Sequence, residues 1–314
     1  MSSTLADEAT GLLRCPFCHT ALDQRDDGLS CGSCGRTYPI ADGIASMLHP
    51  DLPGAREKLA EVAGWPEKAK SEGWYEPDDA VDTVLPFPAR EIPGWEDISW
   101  LATGHSFQVL LDRYVIDERG LRVLEVGAAK CWAAPYWRER DCEYVATDIL
   151  VDPKIGLGRG RFYGDDFLRV QADAENLPFP DETFDVVYGC AALHHALDLP
   201  RMVAEMARVA RPGGVVAGLN EGIRGVLRDP ANPDQAREKE LGINEHVHTV
   251  WAYSAAFRRA GLRVRRIERA EGWPPVPWGG VLSKIPKVGL TAGTVVHLSA
   301  ATYASASIYA RKPA

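Results

Sequence analysis

The sequence predicts an α/β protein, a parallel sheet flanked by helices and preceded by a small cysteine-bound module. Three observations predict it. From residue 121 onward, short β-branched runs alternate with helical stretches. Near the N-terminus, Cys15-Pro-Phe-Cys18 and Cys31-Gly-Ser-Cys34 form two CxxC pairs. Between these regions lie Trp65, Trp74 and Trp95 among Pro53, Pro66, Pro77, Pro86, Pro88 and Pro93, a composition that interrupts regular helix. The expected division is a module over 1–50, a linker or lid over 51–98 and an α/β domain over 99–314. A chain of 314 residues, 46% hydrophobic and 25% charged, has room for this and for a sizeable core.

In the α/β region the strands read as Leu121–Val126, Cys142–Thr147, Phe167–Ala172, Phe184–Tyr188 and Val215–Leu219. Leu199–Ala210 reads as a helix closed by Arg211-Pro212-Gly213-Gly214, and Ser99–Asp117 as a helix with Phe107, Leu110, Leu111 and Tyr114 on one face. Two later strands fall at 261–267 and 304–310. Ligands of such sheets bind beyond the carboxyl ends of the strands. The first strand runs into Glu125-Val-Gly127-Ala-Ala129-Lys-Cys131, a turn of small residues that lets a ligand approach the backbone. Asp148 ends the second strand, where a carboxylate can accept two ribose hydroxyls. Asp173 ends the third, where it can accept from an adenine amino group. Together they describe an adenosine pocket. The first turn lacks the G-x-G-x-x-G of nicotinamide enzymes, which excludes a dehydrogenase.

The four N-terminal cysteines fit a closed tetrahedral thiolate site, the structural type of zinc centre, with Cys15, Cys18, Cys31 and Cys34 as ligands. Gly32 and Gly35 relieve the crowded turns. The other three of the seven cysteines are scattered, which argues against a disulfide framework. The net charge is -9. Residues 1–50 hold six acids against three arginines, a surface poorly suited to phosphate. The densest basic cluster, Arg258, Arg259, Arg263, Arg265 and Arg266, reads as a solvated helix end and strand edge. No signal peptide or membrane span is recognised, so the expected location is the cytoplasm.

Two families are resembled. Residues 13–48, with Tyr38-Pro-Ile-Ala-Asp-Gly-Ile44 after the second CxxC, resemble the zinc ribbon of methyltransferase-activating subunits. Residues 105–220 resemble class I S-adenosylmethionine-dependent methyltransferases of the methyltransferase-11 type, in Asp173-Ala-Glu-Asn-Leu-Pro-Phe179, Phe184-Asp-Val-Val187, Leu193-His-His195 and Glu205 to Gly214. The resemblance implies a Rossmann-like seven-stranded sheet, its last strand antiparallel between the fifth and sixth, with residues 221–250 and 272–302 as insertions around the acceptor. It implies S-adenosylmethionine as cofactor, held by the turn containing Glu125, Gly127 and Ala129, by Asp148 at the ribose, by Asp173 with Ala174 at the adenine, and by nearby Cys190. Ala129 and Cys131 stand where this family has glycines. Alanine keeps the loop tight unless the backbone there needs positive φ.

Methyl transfer from a sulfonium needs alignment and exclusion of water, and a protic acceptor also benefits from a general base. The candidate bases are His194 and His195 after the fourth strand, and His246 and His248, which share one side if extended. A second metal at His246 and His248 has no supporting carboxylate pattern beyond Glu221 and Glu245. A small-molecule acceptor fits the acidic charge and the aromatic linker, which reads either as a connector with its aromatics buried as anchors or as a lid in which Trp74 or Tyr75 would touch substrate. An RNA base fits the order of ribbon and methyltransferase but wants a basic surface, so nucleic acid is disfavoured. A cofactor-binding partner subunit without catalysis is a third reading, motivated by the altered loop.

Overall fold

The computed structural model describes residues 11–26, 28–95, 97–225, 235–269 and 304–314. The N-terminal part contains β1 (Asp23–Arg25), β2 (Gly28–Ser30), β3 (Thr37–Ala41) and β4 (Ile44–Ser46). Four helices follow: α1 (Ala55–Glu72), α2 (Asp79–Val84), α3 (Pro88–Glu91) and α4 (Ile98–Tyr114). Then come β5 (Arg122–Val126), α5 (Ala134–Arg138), β6 (Glu143–Asp148), β7 (Leu168–Gln171), β8 (Phe184–Cys190), α6 (Leu199–Val209) and β9 (Ala210–Ile223). The last elements are α7 (Ala236–Glu240), α8 (Val250–Arg259), β10 (Arg263–Arg269) and β11 (Ala304–Arg311).

The central strands run in the order β7-β6-β5-β8-β9-β11-β10. The first five are parallel, and β11 is antiparallel to both β9 and β10. This is the sheet the resemblance implied, including the late strand inserted between fifth and sixth. Side chains alternate between two cores, as pleating requires. Leu124, Val126, Val145, Val187 and Val216 pack with Met202, Val203 and Met206 of α6. Val123, Val186, Tyr188, Val215 and Ala217 pack with Phe107 and Leu110 of α4 and Trp137 of α5. The fifth strand is longer than the sequence suggested. Arg211-Pro-Gly-Gly214 lies inside β9, where Gly213 takes a φ of 79°, and the register against β8 shifts between Phe184 and Val186. Residues 226–234 of the first expected insertion, and the whole of the second, 272–302, lie outside the described residues.

The N-terminal module is not a separate bead. β4 pairs in parallel with β7, with Ala45 opposite Val170, so among the described residues one sheet of eleven strands runs from β1 to β10. The amides of Arg14 and Met47 donate to Pro178 O and Gln171 O, each at 2.8 Å. Leu13, Cys15, Cys31, Tyr38 and Met47 share one core with Val170, Ala172, Leu177 and Phe179. A module this small has little core of its own, and the bare edge of β7 offers both backbone partners and apolar cover.

The proline-rich stretch holds a surprise. It contains an eighteen-residue helix, α1, that passes through Pro66, where interrupted helix was expected. Pro66 forfeits one backbone hydrogen bond, and tertiary anchors on both sides of it outweigh that loss. Lys58 Nζ reaches His195 O at 3.2 Å and Glu175 at 3.4 Å. Asn244 Nδ2 donates to Glu61 at 2.8 Å, and Lys68 pairs with Glu238 at 3.1 Å. Gly73, with φ 81°, then ends the helix. Helix α4 spans Ile98–Tyr114 close to expectation, with Asp97 accepting from Ser99 N and Trp100 N at its start. Among the described residues no helix is long and apolar enough to cross a membrane.

Candidate functional site

The four cysteine thiols of the module converge, all within 4.8 Å of one another. Cys15 and Cys34 are 3.6 Å apart, Cys18 and Cys31 3.4 Å. A tetrahedron with metal–sulfur bonds of about 2.3 Å has edges of roughly 3.8 Å, so the set suits zinc after a slight spread. Tyr38 Oη lies 3.1 Å from Cys15 Sγ, and Thr20 Oγ1 3.2 Å from both Cys18 and Cys31 Sγ. Hydroxyls so placed can donate to thiolates and orient them.

At the carboxyl ends of the parallel strands opens a cavity of about 940 Å³. Gly127 and Ala129 after β5, Asp148 at the end of β6, Ala172 and Ala174 after β7, and Cys190 at the end of β8 all line it. Gly127 has a φ of 71°, and a Cβ there would stand 2.6 Å from Ala192 Cβ. Both facts demand glycine. Gly127→Ala is expected to cost roughly 2 kcal/mol through strain and overlap, read as a lowered denaturation midpoint at constant m-value. Ala129 and Cys131 also take positive φ, 42° and 63°. The loop therefore keeps a left-handed backbone at two positions without glycine. Its strained turn aims the Ala129 amide at Asp148 Oδ2, 2.8 Å away.

Asp148 also accepts from Leu150 N at 2.8 Å. Each carboxylate oxygen retains a lone pair for a ligand hydroxyl. Burial pushes this carboxyl above the usual range, opposed by the backbone amides of Leu150 and Ala129. Asp173 is placed differently from expectation: it is 2% exposed and is not on the cavity wall. Its oxygens take Glu175 N at 3.0 Å and Asn176 Nδ2 at 2.6 Å. It shapes the turn that presents Ala174, because a buried carboxylate must satisfy its lone pairs locally. Glu125 is likewise off the wall and 1% exposed. It accepts from Tyr144 Oη behind the sheet, and burial pushes it up to about 8 against that hydrogen bond.

The four histidines separate. His195 lines the cavity, and His194, His246 and His248 do not. His195 Nδ1 lies 2.6 Å from Asn244 O. A carbonyl only accepts, so Nδ1 carries the hydrogen and Nε2 of the neutral ring holds the free lone pair. Burial, with His194 and Lys58 nearby, drives its pKa far below the usual value. His194 Nδ1 sits 2.8 Å from Glu221. Burial works against its charge, but Glu221 outweighs burial and raises its pKa. Glu221 is fully buried and also takes the amides of Ala192, Leu193 and His194, so this pair fixes the turn that carries His195. His246 is exposed and lines a separate 350 Å³ recess. His248 packs on Tyr253, its pKa pushed down to about 4 by burial. The expected sharing of one side brings neither to the cavity.

Residues of the linker complete the wall: Lys58, Glu61, Trp65, Lys68, Trp74, Asp82 and Trp95, with Trp100 and Thr103 of α4. Burial, opposed by Lys58, pushes the Glu61 carboxyl up to about 7. Tyr75 is not on the wall; its hydroxyl donates to Asp152 at 3.1 Å. The signal that would have found this face is the spacing 58, 61, 65, 68, one stripe of a helix.

Fold and site define a domain of the class I S-adenosylmethionine-dependent methyltransferase type. Residues 124–218 match the methyltransferase domain family, and residues 10–43 match the Trm112p-like protein family. The chain thus joins a methyltransferase domain to a Trm112p-like zinc ribbon. It is 34% identical to the malonyl-[acyl-carrier protein] O-methyltransferase of Pectobacterium atrosepticum, over 31% of this chain and 38% of that one. It is 40% identical to the phthiotriol/phenolphthiotriol dimycocerosates methyltransferase of Mycobacterium tuberculosis, over 45% of this chain and 48% of that one. The 27-O-demethylrifamycin SV methyltransferase of Amycolatopsis mediterranei is 31% identical over 42% and 48%. The chain spans less than half the length of these relatives. Among solved structures, the geranyl diphosphate C-methyltransferase of Streptomyces coelicolor superposes with a TM-score of 0.54 at 14% identity, over 84% of this chain and 99% of that one; this likeness concerns the fold.

Proposed function

We propose that the protein transfers a methyl group from S-adenosylmethionine to a small-molecule acceptor. The observation that carries this reading is the single cavity that joins the adenosine-type residues Asp148, Ala172 and Ala174 to Cys190 and His195, under a cover of linker residues. Its volume lies at the upper end of ordinary ligand pockets and leaves room for an acceptor beside the cofactor. Gly127, Ala129 and Asp148 would hold the cofactor's methionine and ribose, and Ala172 and Ala174 would face its base. When bound, the cofactor supplies an already activated methyl group, so the protein's work is alignment, desolvation and proton removal. His195 Nε2 takes the acceptor proton, oriented by the bond from Nδ1–H to Asn244 O. Residues 51–98 act as the lid, with Trp65, Trp74 and Trp95 excluding water. An acidic chain with a covered, Trp-walled cavity supports a small acceptor over an RNA base. The curated relatives, named for acceptors such as rifamycin and phthiotriol derivatives, point the same way.

The test is incubation with deuteromethyl cofactor and separate metabolite and RNA extracts, read by mass spectrometry. Label in a metabolite is the expected result. Label in RNA alone would replace the acceptor class, and label in neither pool would overturn the catalytic reading.

A further inference from the structure

We propose that Asp82 is a positioning residue for the cofactor loop, holding its strained backbone through an ion pair with Lys130. The proposal rests on the reading of that loop as part of an S-adenosylmethionine site. Lys130 stands between Ala129, with φ 42°, and Cys131, with φ 63°. Both flanking residues carry a Cβ in a region that disfavours one. A loop of this kind relaxes unless its surroundings over-determine it. Relaxation would turn the Ala129 amide away from Asp148, the carboxylate assigned to the ribose.

The restraint comes from the lid. Lys130 Nζ donates to Asp82 Oδ1 at 3.0 Å, and Asp82 is 1% exposed. Asp82 is itself fixed before it meets the loop. Its Oδ2 accepts from Arg159 Nε at 2.9 Å, and its carbonyl accepts from Tyr163 Oη at 2.9 Å. Asp79 engages the same arginine, which balances the charge. Arg159 and Tyr163 belong to the 3-10 segment Leu157–Tyr163. In that segment Gly160 leaves space for Cys131, since a Cβ there would lie 3.0 Å from Cys131 Sγ. The strained loop is therefore gripped from two sides, by α2 through a charge and by the 3-10 segment through packing. Both Lys130 and Asp82 line the cavity, so a lid that lifts also slackens the loop. The lid and the cofactor's grip are one device.

The experiment is a double-mutant cycle on S-adenosylhomocysteine affinity, measured by calorimetry on the full chain. Asp82→Asn is expected to weaken binding about tenfold, or 1.4 kcal/mol. Ala129→Gly removes one strained position, and the affinity of that variant, whatever its value, is the reference for the second arm of the cycle. In the Ala129→Gly background the Asp82→Asn penalty is expected to fall below about threefold. An undiminished penalty in that background makes Asp82 a general stabiliser and overturns the proposal. So does an Asp82→Asn protein that binds as well as wild type. If Asp82→Asn fails to fold, Lys130→Met runs the same cycle while Asp82 keeps Arg159. Hydrogen exchange at residues 127–131 is expected to quicken in either variant, and unchanged exchange also counts against it. Wild type that does not bind S-adenosylhomocysteine, with exchange at 127–131 still quickened by Asp82→Asn, would sink the cofactor reading and keep the restraint.

Discussion

Stripping zinc from the ribbon is expected to weaken cofactor binding at a site none of its ligands touch. The chain of cause is short. Without metal, Cys15, Cys18, Cys31 and Cys34 lose the centre that holds them, and structural zinc contributes about 10 kcal/mol or more to isolated ribbons of this size. Cys15 and Cys31 sit in the same core as Leu177 and Phe179, and β4 is hydrogen-bonded along β7. Ala172 and Ala174, which line the cavity, directly follow β7. A slack ribbon frees the edge strand, and the edge strand carries that wall. Cys31→Ser, or prolonged treatment with a strong chelator, should lower the melting temperature by more than about 5 °C, the shift expected for roughly 3 kcal/mol in a chain of this size. S-adenosylhomocysteine affinity should fall by about tenfold or more. Hydrogen exchange should quicken at residues 44–46 and 168–174 together. A metal-free protein with unaltered melting and unaltered affinity would show that the ribbon is an independent appendage.

The second large effect concerns His195. His195→Ala is expected to lower kcat by about 10² to 10⁴, the range for loss of a positioned base, with cofactor affinity nearly intact. His246→Ala and His248→Ala should turn over close to wild type, since neither lines the cavity. The pH profile separates base from bystander. The neutral ring is the working form, and its folded pKa lies well below 6.5 because burial, then His194 and Lys58, disfavour the charge. Activity should therefore stay level as pH falls through 6.5 and drop only in more acid solution. A limb centred at or above 6.5 that disappears with His195→Ala would contradict the assigned environment. A His195→Ala enzyme with full turnover would remove the histidine from the chemistry.

Much of this architecture was legible in the sequence because its signals are local. Two CxxC pairs specify a tetrahedral thiolate site without any knowledge of the rest of the chain. The strand runs ending at Val126, Thr147 and Tyr188 announce a parallel sheet, and the resemblance supplied even the antiparallel strand between fifth and sixth. What escaped was set by distant partners. Helix α1 persists through Pro66 because Lys58, Glu61 and Lys68 meet residues far along the chain, contacts that no helix propensity encodes. Asp148 and Asp173 end neighbouring strands and read alike, yet one faces the cavity and the other closes a turn with Asn176. The choice among four histidines depended on Asn244 and Glu221, neither of them near His194 or His195 in sequence. The left-handed φ at Ala129 was foreseen only as a condition and that at Cys131 not at all, because residue type there argues against it.

The pairing of β4 with β7 has a consequence for how the molecule is made. A strand tethered to its own sheet meets its partner at an effective concentration that a free subunit seldom reaches, so dilution cannot part them. The order of synthesis sets the opposite demand. The ribbon leaves the ribosome before β7, and its closing strand, paired with β3 on one side, must wait with its other edge bare until Leu168–Gln171 has emerged. Metal captured early would keep that waiting piece compact. Zinc supply during translation is then expected to influence how much of the chain reaches its native form.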